Sequence, residues 1–426
     1  MYLVFIRVAA LFDDKARLWL TGRKDFFSIL KSKLGNEIQV GKPLIWVHCS
    51  SLGEFEQGRP VIEKIKKSFP QYRVLLTFFS PSGYEIRKNY SQVDGVFYLP
   101  LDTLGNAREF VKVVKPVMVF FIKYDYWFNY LKVLKSRHIP VFLISAVFRP
   151  SQYFFQWYGT WFRKKLDAIT WFFVQNEISL SLLKTIGMHN ASITGDTRFD
   201  RVAEIASVIK EFPLVKQFCE KAKVMVAGST WKEDEDVLIP FIHKESWKIK
   251  FIIAPHDISP GRIQELCDQI GKSFIKYSDL TPENSNSADI LIIDTIGILA
   301  YLYRYATFAY IGGGFGVSIH NIQESITFGV PVFFGPNYHK FKEAVDLISK
   351  GAAFSVKTTA ELMKTVSKLL SDTEYYSKIS GICRSYVDQN IGATDKIFQG
   401  MINLGLITAI QENGSQNNSN QVENPS

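Results

Sequence analysis

The sequence predicts an α/β protein made of two doubly wound parallel sheets in tandem, and three observations predict it. From residue 44 onward, short β-branched or apolar runs alternate with longer amphipathic stretches, the pattern of strands joined by helices. The runs are apolar throughout rather than every second residue, as strands covered on both faces are. The alternation lapses after Gly195 to Asp200 and resumes at Val224, which divides it into two series.

In order, the first series is Leu44 to His48, Val74 to Thr77, Val96 to Leu99, Val117 to Ile122, Val141 to Ser145 and Trp171 to Gln175. The second is Val224 to Ala227, Phe251 to Ala254, Asp289 to Ile293, Phe308 to Ile311 and Pro331 to Phe334. A chain of 426 residues also exceeds what one core usually organises. The expected division is a domain over 1–205, a second over 206–410 and a solvated tail over 411–426, with a linker near 201–222. The cleft between two such sheets is the expected ligand site.

Apolar residues make up 47% of the chain, aromatic residues 14% and charged residues 21%, with a formal net charge of +9. This excludes wholesale disorder and directs attention to anionic partners: nucleic acid, anionic lipid or a phosphorylated substrate. No zinc knuckle, recognition helix or aromatic RNA-binding signature is present, which argues against nucleic acid. Cys49, Cys219, Cys267 and Cys383 show no paired spacing, so neither a disulfide framework nor a metal site is expected, and a reducing compartment fits. The apolar start, Met1 to Phe12, falls short of the roughly 20 residues a spanning helix needs. With Lys15, Arg17, Arg23 and Lys24 behind it and Trp19 and Leu20 interleaved, it reads either as an interfacial anchor or as a short helix of a soluble domain.

In parallel sheets, chemistry gathers just past the carboxyl ends of strands, and the informative motifs fall there. Ser51-Leu52-Gly53-Glu54 follows the first strand. It reads as a capping box, or as a general base with a glycine that makes room for substrate. Ser80-Pro81-Ser82-Gly83 repeats the layout, with Ser82 a ligand contact or part of a cap. Lys123-Tyr124-Asp125-Tyr126-Trp127 offers Lys123 and Asp125 to an anionic sugar, or closes the domain with aromatics. In the second series, Ser229 and Thr230 end a strand and can present amides to a phosphate. The run Gly312-Gly313-Gly314 permits positive φ and close backbone approach, an anion-cradling turn. Asn321 and Glu324 lie three apart and suit ribose hydroxyls.

Taken in order, these motifs resemble the 3-deoxy-D-manno-oct-2-ulosonic acid (Kdo) transferases of lipopolysaccharide synthesis. The resemblance runs through Ser51-Leu52-Gly53-Glu54, Ser80-Pro81-Ser82-Gly83, Leu99-Pro100-Leu101-Asp102 and Gly195-Asp196-Thr197-Arg198-Phe199-Asp200. It continues through Ala227-Gly228-Ser229-Thr230 with Glu233, Asp294-Thr295-Ile296-Gly297, Gly312-Gly313-Gly314, His320-Asn321 with Glu324, and Gly335-Pro336. It covers about residues 10–400.

The resemblance implies a GT-B architecture, two Rossmann-like domains facing across a cleft, with a last helix crossing back to the first. It implies an inverting transfer of Kdo from CMP-Kdo to a phosphorylated, acylated lipid A precursor at the cytoplasmic face of the bacterial inner membrane. Attachment there would be peripheral or monotopic, on an anionic surface, with neither cofactor nor metal. Glu54 would be the base, with Ser51, Gly53, Ser82, Lys123, Asp125 and Arg198 toward acceptor or Kdo. Ser229, Thr230, His256, Gly312, Gly313, Gly314, Asn321 and Glu324 would hold the nucleotide.

Two departures stand out. Lys123 replaces the first carboxylate of the family's Glu-Thr-Glu segment, and Ala254-Pro255-His256-Asp257 lacks the family's arginine, with His256, Lys123 or Arg198 as candidate substitutes. The competing readings are another GT-B sugar-nucleotide enzyme and an inactive basic membrane-surface protein.

Overall fold

The computed structural model describes residues 2–35, 41–220, 222–245, 249–271 and 273–407. The expected tail over 411–426 lies outside them. The chain divides into two compact units, Met1–Thr197 with Gly392–Ser426, and Arg198–Ile391.

Unit 1 is built on seven parallel strands: β1 Leu44–Cys49, β2 Arg73–Phe78, β3 Gly95–Tyr98, β4 Met118–Ile122, β5 Val141–Ala146, β6 Trp171–Val174 and β7 Ala191–Ile193. Their order is β3-β2-β1-β4-β5-β6-β7. Every residue of β1, β2, β4 and β5 is buried, which is why these runs are continuously apolar. The strand order reverses between β1 and β4, and the Leu52–Ser68 helix lies over that point. A side-chain carbon at Gly58 would come within 3.2 Å of Cys49 Sγ and of Ile122, so the bare backbone there lets the helix sit close on the two central strands. The last described helix, Ala393–Asn403, belongs to this unit. Its Ile397, Phe398 and Met401 enter the core, and Phe398 stacks on Phe69 at 5.3 Å.

Unit 2 holds β8 Lys223–Thr230, β9 Ile249–Pro255, β10 Phe274–Lys276, β11 Ile290–Ile292, β12 Phe308–Ile311, β13 Val332–Phe334 and β14 Ala353–Ser355. Their order is β10-β11-β9-β8-β12-β13-β14. From β11 to β14 this repeats the winding of the first sheet, with the reversal between β8 and β12.

Residues 201–222 are not a linker. Helices Arg198–Ser207 and Pro213–Cys219 occupy that stretch, and Phe199, Val202, Phe212, Val215 and Phe218 pack into the core of unit 2. The division therefore falls at Thr197/Arg198 rather than at 205/206. The polar look of the segment comes from the outer faces of two amphipathic helices.

The N-terminal segment forms helices Tyr2–Ala9, Asp14–Thr21 and Phe26–Gly35. Trp19, read as part of an interfacial face, is buried beneath the Arg23 guanidinium, 3.9 Å from the ring centroid. Arg23 Nε and Nη2 donate to the carbonyls of Leu99 at 2.9 Å and Phe79 at 2.6 Å, fastening these helices to the chain just past β3 and β2. Leu11 and Phe12 remain exposed. No helix among the described residues is long and apolar enough to cross a membrane.

Candidate active site

Open α/β sheets bind ligands past the carboxyl ends of the strands, where the strand order reverses. Each unit has one such point, and the motifs found in the sequence collect at both.

In unit 1, the chain leaves β1 through Ser50 and Ser51 into the Leu52–Ser68 helix. Ser51 stands at the N-cap position with extended backbone, yet its side chain makes no capping bond; its hydroxyl donates instead to Glu54 Oε2. The capping box is therefore not formed, and what the spacing builds is a half-exposed carboxylate held by a serine. Gly53 is exposed, and a Cβ there would approach nothing nearer than Ser51 Oγ at 3.8 Å. Neither packing nor a positive φ accounts for this glycine, which leaves open space beside Glu54.

Asp125, past β4, turns inward to the same turn. Ser50 Oγ donates to its Oδ1 and the Ser50 amide to its Oδ2 at 3.2 Å. Burial pushes the Asp125 carboxyl well above the usual carboxylate range; the Ser50 hydroxyl bond opposes this, and the Glu54 carboxylate adds to it. On its other side lies the buried His48 ring, with Nε2 3.9 Å from Asp125 Oδ2 and Nδ1 2.8 Å from Thr77 Oγ1. Burial holds His48 down to about 3, so it is a neutral ring at physiological pH. The carboxylate pair thus divides into a buried Asp125 that resists charge and a Glu54 that faces solvent.

Lys123 takes a φ of 60°, a left-handed conformation uncommon for a side chain of this size, and its Nζ lies 5.1 Å from the Tyr124 ring centroid. Ser82 is an exposed part of a genuine cap: Ser80 Oγ accepts from the Ser82 amide at 3.3 Å, and the two hydroxyls are 2.9 Å apart. Arg198 falls in unit 2, with Nη2 3.3 Å from the buried Glu343.

In unit 2, the end of β8 bulges between Gly228 and Thr230, and Ser229 takes a φ of 55°. Thr230 Oγ1 donates to the buried Glu235 at 2.9 Å, whose other oxygen receives Arg262 Nη2. At the start of the Lys232–Glu245 helix, Asp234 Oδ2 accepts the Trp231 amide at 3.0 Å, the one half of a capping box in which a first-turn side chain reaches back to the amide before the helix.

The same Asp234 oxygen accepts the Gly313 amide at 2.7 Å, and Oδ1 accepts the Tyr310 hydroxyl at 3.2 Å. Burial raises this carboxyl above its usual range, while the amides of Gly313 and Trp231 pull it back.

The glycine run is thereby redefined. Gly313 alone of the three has positive φ, and its amide is bound by Asp234. The Gly312 amide donates to Gly228 O at 2.9 Å. A Cβ at Gly312 would lie 2.1 Å from Ser229 O, and one at Gly314 would lie 2.5 Å from Gly335 N. These glycines let strand-end loops of the protein touch one another, a tighter demand than cradling an anion.

Three rings stand over this knot. Trp231 stacks on His256 at 4.4 Å and His256 on His320 at 4.6 Å, while Trp231 Nε1 donates to His320 Nε2 at 3.1 Å. Burial first, and His256 second, bring His320 down to about 4, which keeps Nε2 free to accept. Asn321 precedes the short Gln323–Ile326 helix rather than riding its face. It accepts the Gln323 amide at 3.0 Å and donates to Glu324 at 3.2 Å, so the two side chains do meet.

Sequence reasoning did not single out Asp234, Glu235, Arg262 or Trp231. Asp234 had a signal: it stands three and four residues before Val237 and Leu238, on the apolar face of its helix. Among the described residues there is no cluster of three or more side chains able to hold a metal.

The family model described as 3-deoxy-D-manno-octulosonic-acid transferase (kdotransferase) matches residues 26–201. Among known proteins, the chain is similar to the 3-deoxy-D-manno-octulosonic acid transferase of Aquifex aeolicus, 27% identical over 353 residues that cover 81% of this chain and 91% of that one. It is 28% identical to the transferase of the same name from Rickettsia felis over 373 residues, 84% of this chain and 78% of that one.

Among solved structures it resembles a UDP-GlcNAc 2-epimerase from Neisseria meningitidis, with a TM-score of 0.60 at 19% identity, covering 85% of this chain and 100% of that one. It also resembles a glycosyltransferase from Rickettsia africae, with a TM-score of 0.56 at 14% identity, covering 85% and 99%. These likenesses are of fold, the two Rossmann-like domains of the GT-B architecture.

Proposed function

We propose that this chain is a Kdo transferase of lipopolysaccharide biosynthesis, a reading supported by the 3-deoxy-D-manno-octulosonic-acid transferase family model over residues 26–201 and by the relatives of the same name at 27% and 28% identity, with CMP-Kdo as its donor and a phosphorylated, acylated lipid A precursor as its acceptor. The reaction takes place at the cytoplasmic face of the inner membrane, to which the basic chain attaches peripherally, and it uses no cofactor. The observation that carries this reading is the Ser51-held carboxylate of Glu54 at the strand reversal of unit 1.

Glu54 takes the proton of the acceptor hydroxyl as its oxygen bonds to the anomeric carbon of Kdo. The bond from that carbon to the phosphate oxygen breaks with inversion, and CMP leaves with the electron pair. In unit 2, the Ser229 and Thr230 turn and the first-turn amides of the Lys232–Glu245 helix face the departing phosphate. The amides of Gly312 and Gly313, already bonded within the protein, act by holding that turn in place. Asn321 and Glu324 take the ribose, and the Trp231, His256 and His320 rings lie beside the nucleotide.

The test is to incubate the protein with a CMP-Kdo generating system and tetra-acylated lipid A precursor, with and without a chelator, and to read products by mass spectrometry. One or more Kdo additions, insensitive to chelation, are expected. Protein that binds CMP and transfers nothing would overturn the choice of substrates.

Gly53 gives a second check. In Gly53→Ala, helix propensity predicts unchanged or slightly greater stability, by up to about 1 kcal/mol, while the acceptor KM rises because the methyl enters the space beside Glu54. Thermal unfolding and acceptor titration measure the two; an unaltered KM would show that substrate does not come there.

A further inference from the structure

The segment between β5 and β6 has no part in the chemistry above, yet it exposes more aromatic surface than any other described stretch of comparable length. Trp157 is 89% exposed, Tyr158 54% and Trp161 57%. A contiguous apolar display of this kind on a soluble surface marks an interaction site.

The loop that carries them is built rather than slack. Phe154 is fully buried, Arg163 Nε donates to its carbonyl at 2.8 Å, and Arg163 Nη2 donates to Gln156 O at 2.7 Å. Gln156 Nε2 donates to Pro150 O at 2.8 Å. A Cβ at Gly159 would sit 2.1 Å from the Tyr153 carbonyl, so the turn is folded tightly on itself while the two rings beside Gly159 point into solvent.

Cations accompany the rings. Lys164 and Arg149 are exposed, and Lys165 Nζ lies 4.6 Å from the Trp161 ring centroid. Indole rings interleaved with lysine and arginine match the boundary between water and an anionic bilayer, where rings enter the head-group region and cations meet lipid phosphates.

The topology fixes which way such a surface faces. The segment leaves the carboxyl end of β5, which pairs with β4 at Ile122 and Ile144. All seven strands of the sheet are parallel, so this is the same edge from which Ser51 and Glu54 project. Arg23 fastens the N-terminal helices, with exposed Leu11 and Phe12, to chain ends on that edge as well.

We propose that Trp157, Tyr158 and Trp161, with Arg149, Lys164 and Lys165, form a docking surface for an anionic lipid bilayer, separate from the apolar N-terminus and placed so that the Glu54 edge of unit 1 faces the lipid. It extends the membrane attachment proposed above, but vesicle binding is read without donor or turnover, so either can fail alone.

The experiment is vesicle co-sedimentation of the full chain with phosphatidylglycerol-rich and with phosphatidylcholine vesicles. It compares the parent, Trp157→Ser/Trp161→Ser and Lys164→Glu/Lys165→Glu. Turnover of each is followed with acceptor dispersed in detergent and with acceptor embedded in vesicles. Binding of the parent is expected to favour the anionic vesicles. Both variants should bind them about tenfold or more weakly, from lost ring insertion in one and lost cation attraction in the other. Turnover on detergent-dispersed acceptor should match the parent while turnover on vesicles falls. Parental vesicle affinity in both variants, or equal binding of the parent to the two vesicle types, would overturn the proposal. Loss of detergent turnover in both variants would also overturn it, since the surface would then serve the chemistry or the fold.

Discussion

Glu54→Gln is expected to retain the fold and CMP binding and to lose Kdo transfer by about 10²- to 10⁴-fold, the usual worth of a positioned general base. Glutamine preserves the length of the side chain and still accepts the Ser51 hydroxyl, so the local geometry survives. The position is half-exposed, where a substitution of this kind shifts stability by no more than about 0.5 kcal/mol. What disappears is the ability to take a proton. Asp125 cannot replace it, because that carboxyl is buried, bonded to Ser50 and biased toward the neutral acid. Steady-state kinetics beside CMP titration and thermal unfolding separate the possibilities. Transfer within a few-fold of the parent would remove Glu54 from the chemistry.

Asp234→Ala is expected to give the largest stability effect of any single acidic residue in the first turn of its helix. One buried carboxylate joins the Trp231 amide, the Gly313 amide and the Tyr310 hydroxyl, and alanine leaves all three without that acceptor. Unmade bonds to buried groups cost about 1–3 kcal/mol each before relaxation, so a loss of about 3–4 kcal/mol is expected in denaturant unfolding of unit 2. Donor affinity should fall with it, because the same bonds hold the β8 and β12 turns together. Glu233→Ala and Asp236→Ala, at exposed positions on the same turn, should change stability by less than about 0.5 kcal/mol. Equal effects at all three positions would mean that Asp234 contributes charge at the helix start and nothing as a bridge.

The central strands were legible in the sequence because a parallel strand covered on both faces is apolar at every position. Strands β7, β10 and β14 were not, for each is three residues long and none is fully buried, which leaves no run to recognise. The helices over residues 198–219 were taken for a linker because their solvent faces dominate the composition, although Phe199, Phe212 and Phe218 were spaced to enter a core. At the candidate site, Ser51, Gly53 and Glu54 were legible from their place after the first strand, and the Ser51 hydroxyl, bonded to Glu54 instead of capping the helix, removes the capping box from the two uses their spacing allowed. The three glycines were found for close approach, and the approach the structure shows is of Gly312 to Ser229 and of Gly314 to Gly335. Asp234 was hidden in the acidic run Glu233 to Asp236, where charge suggested solvent and only the helical period pointed inward.

Ile397, Phe398 and Met401 complete the core of unit 1 from the far end of the chain, so the second unit is an insertion within the first. This orders events during synthesis. Unit 2 is one contiguous stretch, Arg198–Ile391, and can close its core as soon as it is made. Unit 1 has all its strands earlier, yet Phe69 and Phe173 wait for the Ala393–Asn403 helix to cover them. A nascent chain halted before residue 392 therefore carries an open apolar seam on its first domain, about 1.5–3 kcal/mol of unburied surface for each large side chain not yet docked. Until the Ala393–Asn403 helix arrives, that half-built domain is a species for chaperones to shield, and the unit begun first is completed after the second.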